Sequence, residues 1–193
     1  MLRNLLALSL PIMFSNFIQT FYNLTDTFWL GKLGESAKAA VSAAGIAFPL
    51  IFFLASFGAG FVVAGTAMVA RYKGANNIEK IPHVLGQFSI IIAAFSAIIL
   101  VIGLVFMGKI LILLHTPPEV IPVAEVYLRV ILIGSVFMFF FLFYQSIAHG
   151  WGDTISPMHI QFISVIINVV LDPFLIFGWG PFPRLETAGA AYA

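Results

Sequence analysis

No cysteine occurs in the chain, which excludes disulfides, thiolate zinc sites and cysteine nucleophiles. Charge is nearly as scarce. Asp, Glu, Lys and Arg make up 9% of the residues, where a soluble domain carries about 25%. The formal net charge is +1 and no Lys/Arg run interrupts the sequence, so nucleic acid is not an expected partner. The four histidines, His83, His115, His149 and His159, never stand four residues apart and all fall at or near the ends of apolar stretches. A metal site is therefore not expected. What remains is 61% hydrophobic with 21 phenylalanines and a mean hydropathy of +1.07. That composition belongs to an integral membrane protein, whose lipid-facing surface carries no water to penalise exposed rings.

Crossing a bilayer takes about 20 apolar residues in a helix. Five stretches qualify, at about 5–30, 39–70, 84–107, 120–148 and 158–177. A sixth opens near 188 (AGAAYA) and is cut off at Ala193, after about 9 Å of helix. The expected fold is all-α, with five complete transmembrane helices and the start of a sixth, and the whole of 1–193 forming one transmembrane lobe. The first stretch is not a cleavable signal peptide: its apolar run is too long and no small-residue cleavage site follows. No internal repeat is visible. Charge fixes topology poorly. With the N-terminus inside, Arg3, Arg71, Lys73 and Lys80 would lie on the inner side and Lys32, Lys38, Lys109, Arg129 and Arg184 on the outer, which is no positive-inside bias.

Two aspartates interrupt this apolar pattern, each at the end of a polar row. Asn16, Gln19, Asn23 and Asp26 are spaced 3, 4 and 3 apart, and Gln161, Ser164, Asn168 and Asp172 are spaced 3, 4 and 4 apart. Each row falls along one face of a helix. An intramembrane carboxylate is costly unless it faces water, a cation or a partner, so two such rows predict a polar cavity inside an apolar bundle. Spans one and five have the same parity and run in the same direction. Each aspartate lies about six residues before the end of its span, roughly 9 Å below the same membrane face. Two neighbouring carboxylates in low dielectric do not both ionise cheaply, so the pair takes up a proton or a cation. Pro11, Pro49 and Pro173 fall within or near the ends of spans. A helical proline leaves the carbonyl four residues back without its donor and often kinks the helix. Pro173 would free the Val169 carbonyl beside Asp172, as in the broken helices with which transporters hold ions.

Other polar residues read more simply. Ser56, Gly58, Gly60, Gly65, Thr66, Ser89 and Ser96 fit close helix packing. Tyr22 and Trp29 fit interfacial anchors, although Tyr22 is near the Asp26 face. Gln145 in span four fits a cavity wall or a packed position equally. Intramembrane aspartyl proteases also place two aspartates on two helices, the second within Gly-x-Gly-Asp. Here the two sites read Asn23-Leu24-Thr25-Asp26 and Val170-Leu171-Asp172-Pro173, and amide rows suit ion or solute binding better than a water-activating dyad.

The segment LSLPIMFSNFIQTFYNLTDTFWLGKLG (Leu8–Gly34) resembles the first span of the multidrug and toxic compound extrusion (MATE) transporters. GAGFVVAGTAMVARYKGANN (Gly58–Asn77) resembles their second span and following loop, and HGWGDTISPM (His149–Met158) their Gly-x-Gly-Asp-Thr…Pro loop. NVVLDPFLIFGWGPFPRLETAGAAYA (Asn168–Ala193) is similar to their fifth span and the opening of the sixth.

The resemblance covers the whole chain and points to the prokaryotic DNA-damage-inducible-like branch. It implies the N-lobe of a twelve-helix antiporter, driven by H⁺ or Na⁺ without a cofactor, exporting small cationic or amphipathic compounds. It implies Asp26, Asn168 and Asp172 as the ion or proton site, also the expected contacts of any Na⁺. Gln19, Tyr22 and Gln145 fall at cavity positions. With the rows above, the expected substrate cavity comprises Asn16, Gln19, Tyr22, Asn23, Gln145, Gln161 and Ser164, with Pro11 and Pro173 as hinges. The implied setting is the inner or plasma membrane, multi-pass, with a cytoplasmic N-terminus. His149 departs from the family pattern, standing where many relatives have Arg. A missing C-terminal lobe or a second copy is the expected partner. The alternatives are a flippase for lipid-linked or polysaccharide precursors, which would need a basic groove, and a non-transporting membrane fragment.

Overall fold

The computed structural model describes residues 2–193, with the side chains of Leu6 and of 8–193. Arg3, counted in the charge comparison, lies outside the described side chains. Six α-helices make up nearly all the described residues: α1 (Leu2–Leu30), α2 (Ala37–Gly74), α3 (Ile81–Leu113), α4 (Ile121–Trp151), α5 (Ile155–Phe177) and the short α6 (Thr187–Tyr192). Each of α2 to α5 is long and apolar enough to cross a membrane. At 29 residues α1 has the length as well, and its polar row makes it less apolar than the others.

Local chemistry sets the helix ends. Pro82 and Pro122 sit in the first turns of α3 and α4, where no amide partner is lost. Gly152 (φ +88°) and Gly178 (φ +74°) close α4 and α5 in the left-handed conformation that glycine adopts without a Cβ penalty. The helices run past the purely apolar stretches: α2 includes Arg71 and Lys73 in its last turn, and α3 continues beyond Met107 to Leu113. Backbone hydrogen bonding ends at a cap, not where hydropathy falls. Pro11, Pro49 and Pro173 all lie inside continuous helices. The sequence pattern allowed a break at Pro173, but α5 runs unbroken through it to Phe177.

The helices form two groups. α4 is the hub of one, flanked by α2 and α3, while α1 pairs with α5; α6 touches both α4 and α5. Lipid gives little hydrophobic drive between helices, so close packing does the work. At the α2–α4 seam, a Cβ added to Gly65 would fall 2.7 Å from Ser146 Cβ and 2.7 Å from Phe88 Cε1. Thr66 there donates its hydroxyl to the Ser146 carbonyl, at 3.2 Å. An aromatic knot fills the middle: Phe95 meets Phe139 edge-on at 5.4 Å, and Phe61 meets Phe95 at 5.0 Å and Phe139 at 6.2 Å. Lys73 Nζ donates to the Trp151 carbonyl at 2.6 Å and lies over its ring, tying the end of α2 to the negative end of the α4 dipole.

α1 and α5 run parallel. Phe14 meets Phe162 and Gln19 meets Gln161 toward their starts, and Asp26 meets Asp172 and Trp29 meets Phe177 toward their ends. The two aspartates therefore sit at one depth.

Candidate functional site

The α1–α5 pair stands apart from α2 and α4, and the space between is a cavity of about 430 Å³. Its α1 wall is Gln19, Tyr22, Asn23 and Asp26; its α5 wall includes Gln161, Ser164 and Asn168. Near one end, Gln161 donates from Nε2 to Gln19 Oε1 at 3.0 Å, pairing the two polar rows. Near the other end lies the carboxylate cluster. Burial deepens inward from Asp26 (8% exposed) to Asn168 (2%) and Asp172 (0%). Asn168 donates from Nδ2 to Asp172 Oδ1 at 3.3 Å. The Asp26 carboxylate faces Asp172, Asn168 and the Tyr22 phenol.

Three oxygens in this cluster, Asp26 Oδ1, Asn168 Oδ1 and Asp172 Oδ2, are buried without a hydrogen-bond partner. A buried unsatisfied polar atom costs about 1–3 kcal/mol, more when charged. Here three occur on side chains that face one another. An all-oxygen set of this kind, two carboxylates and an amide, fits a proton shared between carboxylates or a hard cation.

The structure brings together Gln19, Tyr22, Asn23, Asp26, Gln161, Ser164 and Asn168 around the cavity, with Asp172 directly behind Asn168. Two expected cavity residues fall outside its lining. Asn16 lies one turn beyond Gln19, the last α1 residue of the wall, and is exposed; Gln145 lies one turn beyond Phe141, the last α4 residue, and is half-buried. The rows continue on the same helix faces, but the cavity stops one turn short of both. Tyr22, which by residue type fits an interfacial anchor and by the family resemblance a cavity position, lines the cavity and turns its phenol toward Asp26.

The far wall escaped the sequence reading. It comes from Ile51 and Leu54 on α2 and from Tyr127, Val130, Ile131, Gly134, Ser135, Met138 and Phe141 on α4. Tyr127 is buried and faces both carboxylates. The only trace in the sequence is the helical spacing of Tyr127, Ile131, Ser135 and Met138, in which a phenol and a small hydroxyl stand among apolar side chains.

Residues 11–174 match the MatE family. The chain belongs to the MatE family. This MatE chain is 34% identical over 192 residues to the probable multidrug resistance protein YoeA of Bacillus subtilis, covering 99% of the chain and 41% of that protein. It is 31% identical over 191 residues to the FAD transporter of Shewanella oneidensis, covering 99% of the chain and 42% of that protein. The outward-facing conformation of a multidrug resistance MATE family transporter of the MOP superfamily superposes with a TM-score of 0.87. Identity there is 28%, over 98% of the chain and 40% of that structure. The MatE chain thus spans about two-fifths of the length of these relatives.

Proposed function

We propose that the chain is the N-terminal lobe of an antiporter that exports cationic or amphipathic organic compounds, with H⁺ or Na⁺ as the coupling ion and no cofactor. Asp26, Asn168 and Asp172 hold the ion. The observation that carries this reading is the trio of buried, unpartnered oxygens at one end of a cavity whose remaining polar lining is amide, phenol and hydroxyl.

The mechanism follows from competition. With a proton or Na⁺ on the cluster, its negative charge is masked and an organic cation loses its counter-charge. With the ion gone, the carboxylates attract the cation into the cavity. Two ligands that exclude one another at one site give reciprocal coupling. α1 carries Asp26 and packs chiefly on α5, so it is the element that responds, with Pro11 as its hinge and Pro173 a second on α5. A C-terminal lobe, or a second copy of the chain, supplies the opposite wall. The protein lies in the cell membrane with its N-terminus cytoplasmic. It moves its substrate and does not convert it.

The similarity to an FAD transporter raises an anionic cargo as a second reading, as does the flippase alternative. Among the described residues, the cavity lining includes no Lys, Arg or His, and it includes Asp26. A phosphate would meet repulsion and no cation to pair with, so the cationic reading is the stronger.

The test is the complete protein in liposomes with an imposed Na⁺ or H⁺ gradient and tetraphenylphosphonium as cargo. Asp26→Asn and Asp172→Asn should each reduce gradient-driven export about tenfold or more, within the usual range of coupling between two ligands. Export that survives both substitutions sinks the proposal. Comparing the two gradients identifies the coupling ion.

A further inference from the structure

Asp26 borders a second cavity. Of about 350 Å³, it lies between α1 and α2 and is lined by Asn23, Asp26, Thr27 and Leu30 on one side. Val41, Ala44, Gly45, Phe48 and Ile51 of α2 form the other side, with Tyr127 of α4. Four residues border both cavities: Asn23, Asp26, Ile51 and Tyr127. The two spaces therefore meet at these four side chains, and Asp26 is reached from either.

We propose that this α1–α2 cleft is a water-filled access route by which the coupling ion reaches Asp26 without passing through the organic-cation cavity, with Tyr127 and Ile51 as the partition. The inference rests on the reading of Asp26 as the ion site. Three observations carry it. The cleft is roomy: a volume of about 350 Å³ has space for roughly ten waters at about 30 Å³ each. One wall is polar, since Asn23, Asp26 and Thr27 all face it. The facing wall is small at its middle, and a Cβ built on Gly45 meets nothing within 4 Å. The gap exists because α1 packs chiefly on α5 and touches α2 little. Its lining residues Leu30 and Val41 flank the α1–α2 connector, so the cleft lies toward the membrane face where that connector turns. A separate route lets an ion arrive while the cargo is still bound, which direct displacement through one shared mouth does not allow.

The absence of cysteine from the chain makes single-cysteine probes clean, provided cysteines outside these residues are replaced in the complete protein. Gly45→Cys reports on the cleft alone and Gly134→Cys on the central cavity alone. Neither position has a heavy atom within 4 Å of an added Cβ. Val105→Cys, on the exposed apolar face of α3, is the lipid-facing control. The reagent is a trimethylammonium methanethiosulfonate, which reacts only with a hydrated thiolate.

Gly45→Cys should react much faster than Val105→Cys. Tetraphenylphosphonium at ten times its Kd should slow modification of Gly134→Cys about tenfold by mass action and leave Gly45→Cys within about twofold. Modified Gly45→Cys should then lose gradient-driven export while still binding tetraphenylphosphonium. The route is refuted if Gly45→Cys is as unreactive as the lipid-facing control, if cargo protects both positions equally, or if modification leaves export unchanged. Failure of the ion-site reading itself shows separately, as export that survives Asp26→Asn.

Discussion

Carboxylates inside a membrane protein need partners, and the side chains around Asp26 and Asp172 supply only some of them. Asn168 donates one hydrogen bond to Asp172, and three oxygens of the cluster stay unmatched. Asp153, outside the spans, shows the contrast of a carboxylate oxygen with two partners. Its Oδ1 accepts from the backbone N–H groups of Ile155 at 3.0 Å and Ser156 at 2.9 Å, capping the start of α5. The Ser156 hydroxyl and N–H, and then the Ile155 N–H, hold its carboxyl below the usual range. Because the folded value is depressed, the cap's stabilisation is present above the unfolded value of about 3.9 and is lost as pH falls through the lower folded value. Asp153→Ala should destabilise the protein by about 1 kcal/mol, as lost N-caps do. Thermal melts in detergent should show that difference steady between about pH 5 and 8 and shrinking at strongly acid pH. A difference that grows on acidification would contradict the capping role.

Helix packing dominates at the next scale. The α2–α4 seam depends on Gly65, whose missing Cβ leaves room for Ser146 and Phe88. Gly65→Val would force those neighbours apart, and overpacking of this kind costs about 1–3 kcal/mol, outweighing the helix-propensity gain of losing a glycine. A lowered Tm in detergent is the expected outcome; an unchanged Tm would mean the seam is looser than described. The same seam shows which elements a sequence reveals. Long apolar runs and polar rows at helical spacing were readable, because a carboxylate or amide in such a run is an anomaly by itself. That made Asp26, Asn168 and Asp172 visible, and Gly58, Gly65, Thr66 and Ser96 legible as packing, whereas Ser56 and Gly60 are exposed and a Cβ on Gly60 meets nothing within 4 Å. The wall formed by α2 and α4 was not visible, because Ile51, Leu54 and Met138 look the same in sequence whether they face lipid, a core or a cavity. Tyr127 was hidden similarly: a phenol in an apolar helix is ordinary until its neighbours are known. Helix ends were displaced for another reason, since caps stop helices and hydropathy does not. Asn16 lies on the predicted α1 face and Gln145 one turn along α4 from the cavity wall, but helical periodicity carries no information about where a cavity ends.

At the scale of the whole molecule, two helix groups enclose a cavity whose polar residues come mostly from α1 and α5. Large apolar side chains such as Phe17, Val63, Val105 and Phe137 cover much of the outside, as suits contact with lipid. The chain spans about two-fifths of the relatives' length; on the proposed function, the lobe with the ion site acts with another that completes the cavity. On this arrangement Gln161→Leu, which removes the amide partner of Gln19, should change the order in which different organic cations are exported and leave ion dependence intact. Transport assays over a cation series would show an unchanged order if the amide pair does not touch cargo.

The most direct test of the central claim is equilibrium binding of tetraphenylphosphonium to the purified complete protein, titrated with Na⁺ at constant ionic strength and separately with pH. If Asp26, Asn168 and Asp172 form one site for ion and cargo charge, raising the coupling ion should weaken cargo binding about tenfold or more. In Asp172→Asn that dependence should flatten. Ion-dependent binding that is unchanged in Asp172→Asn would place the coupling site elsewhere and contradict the account.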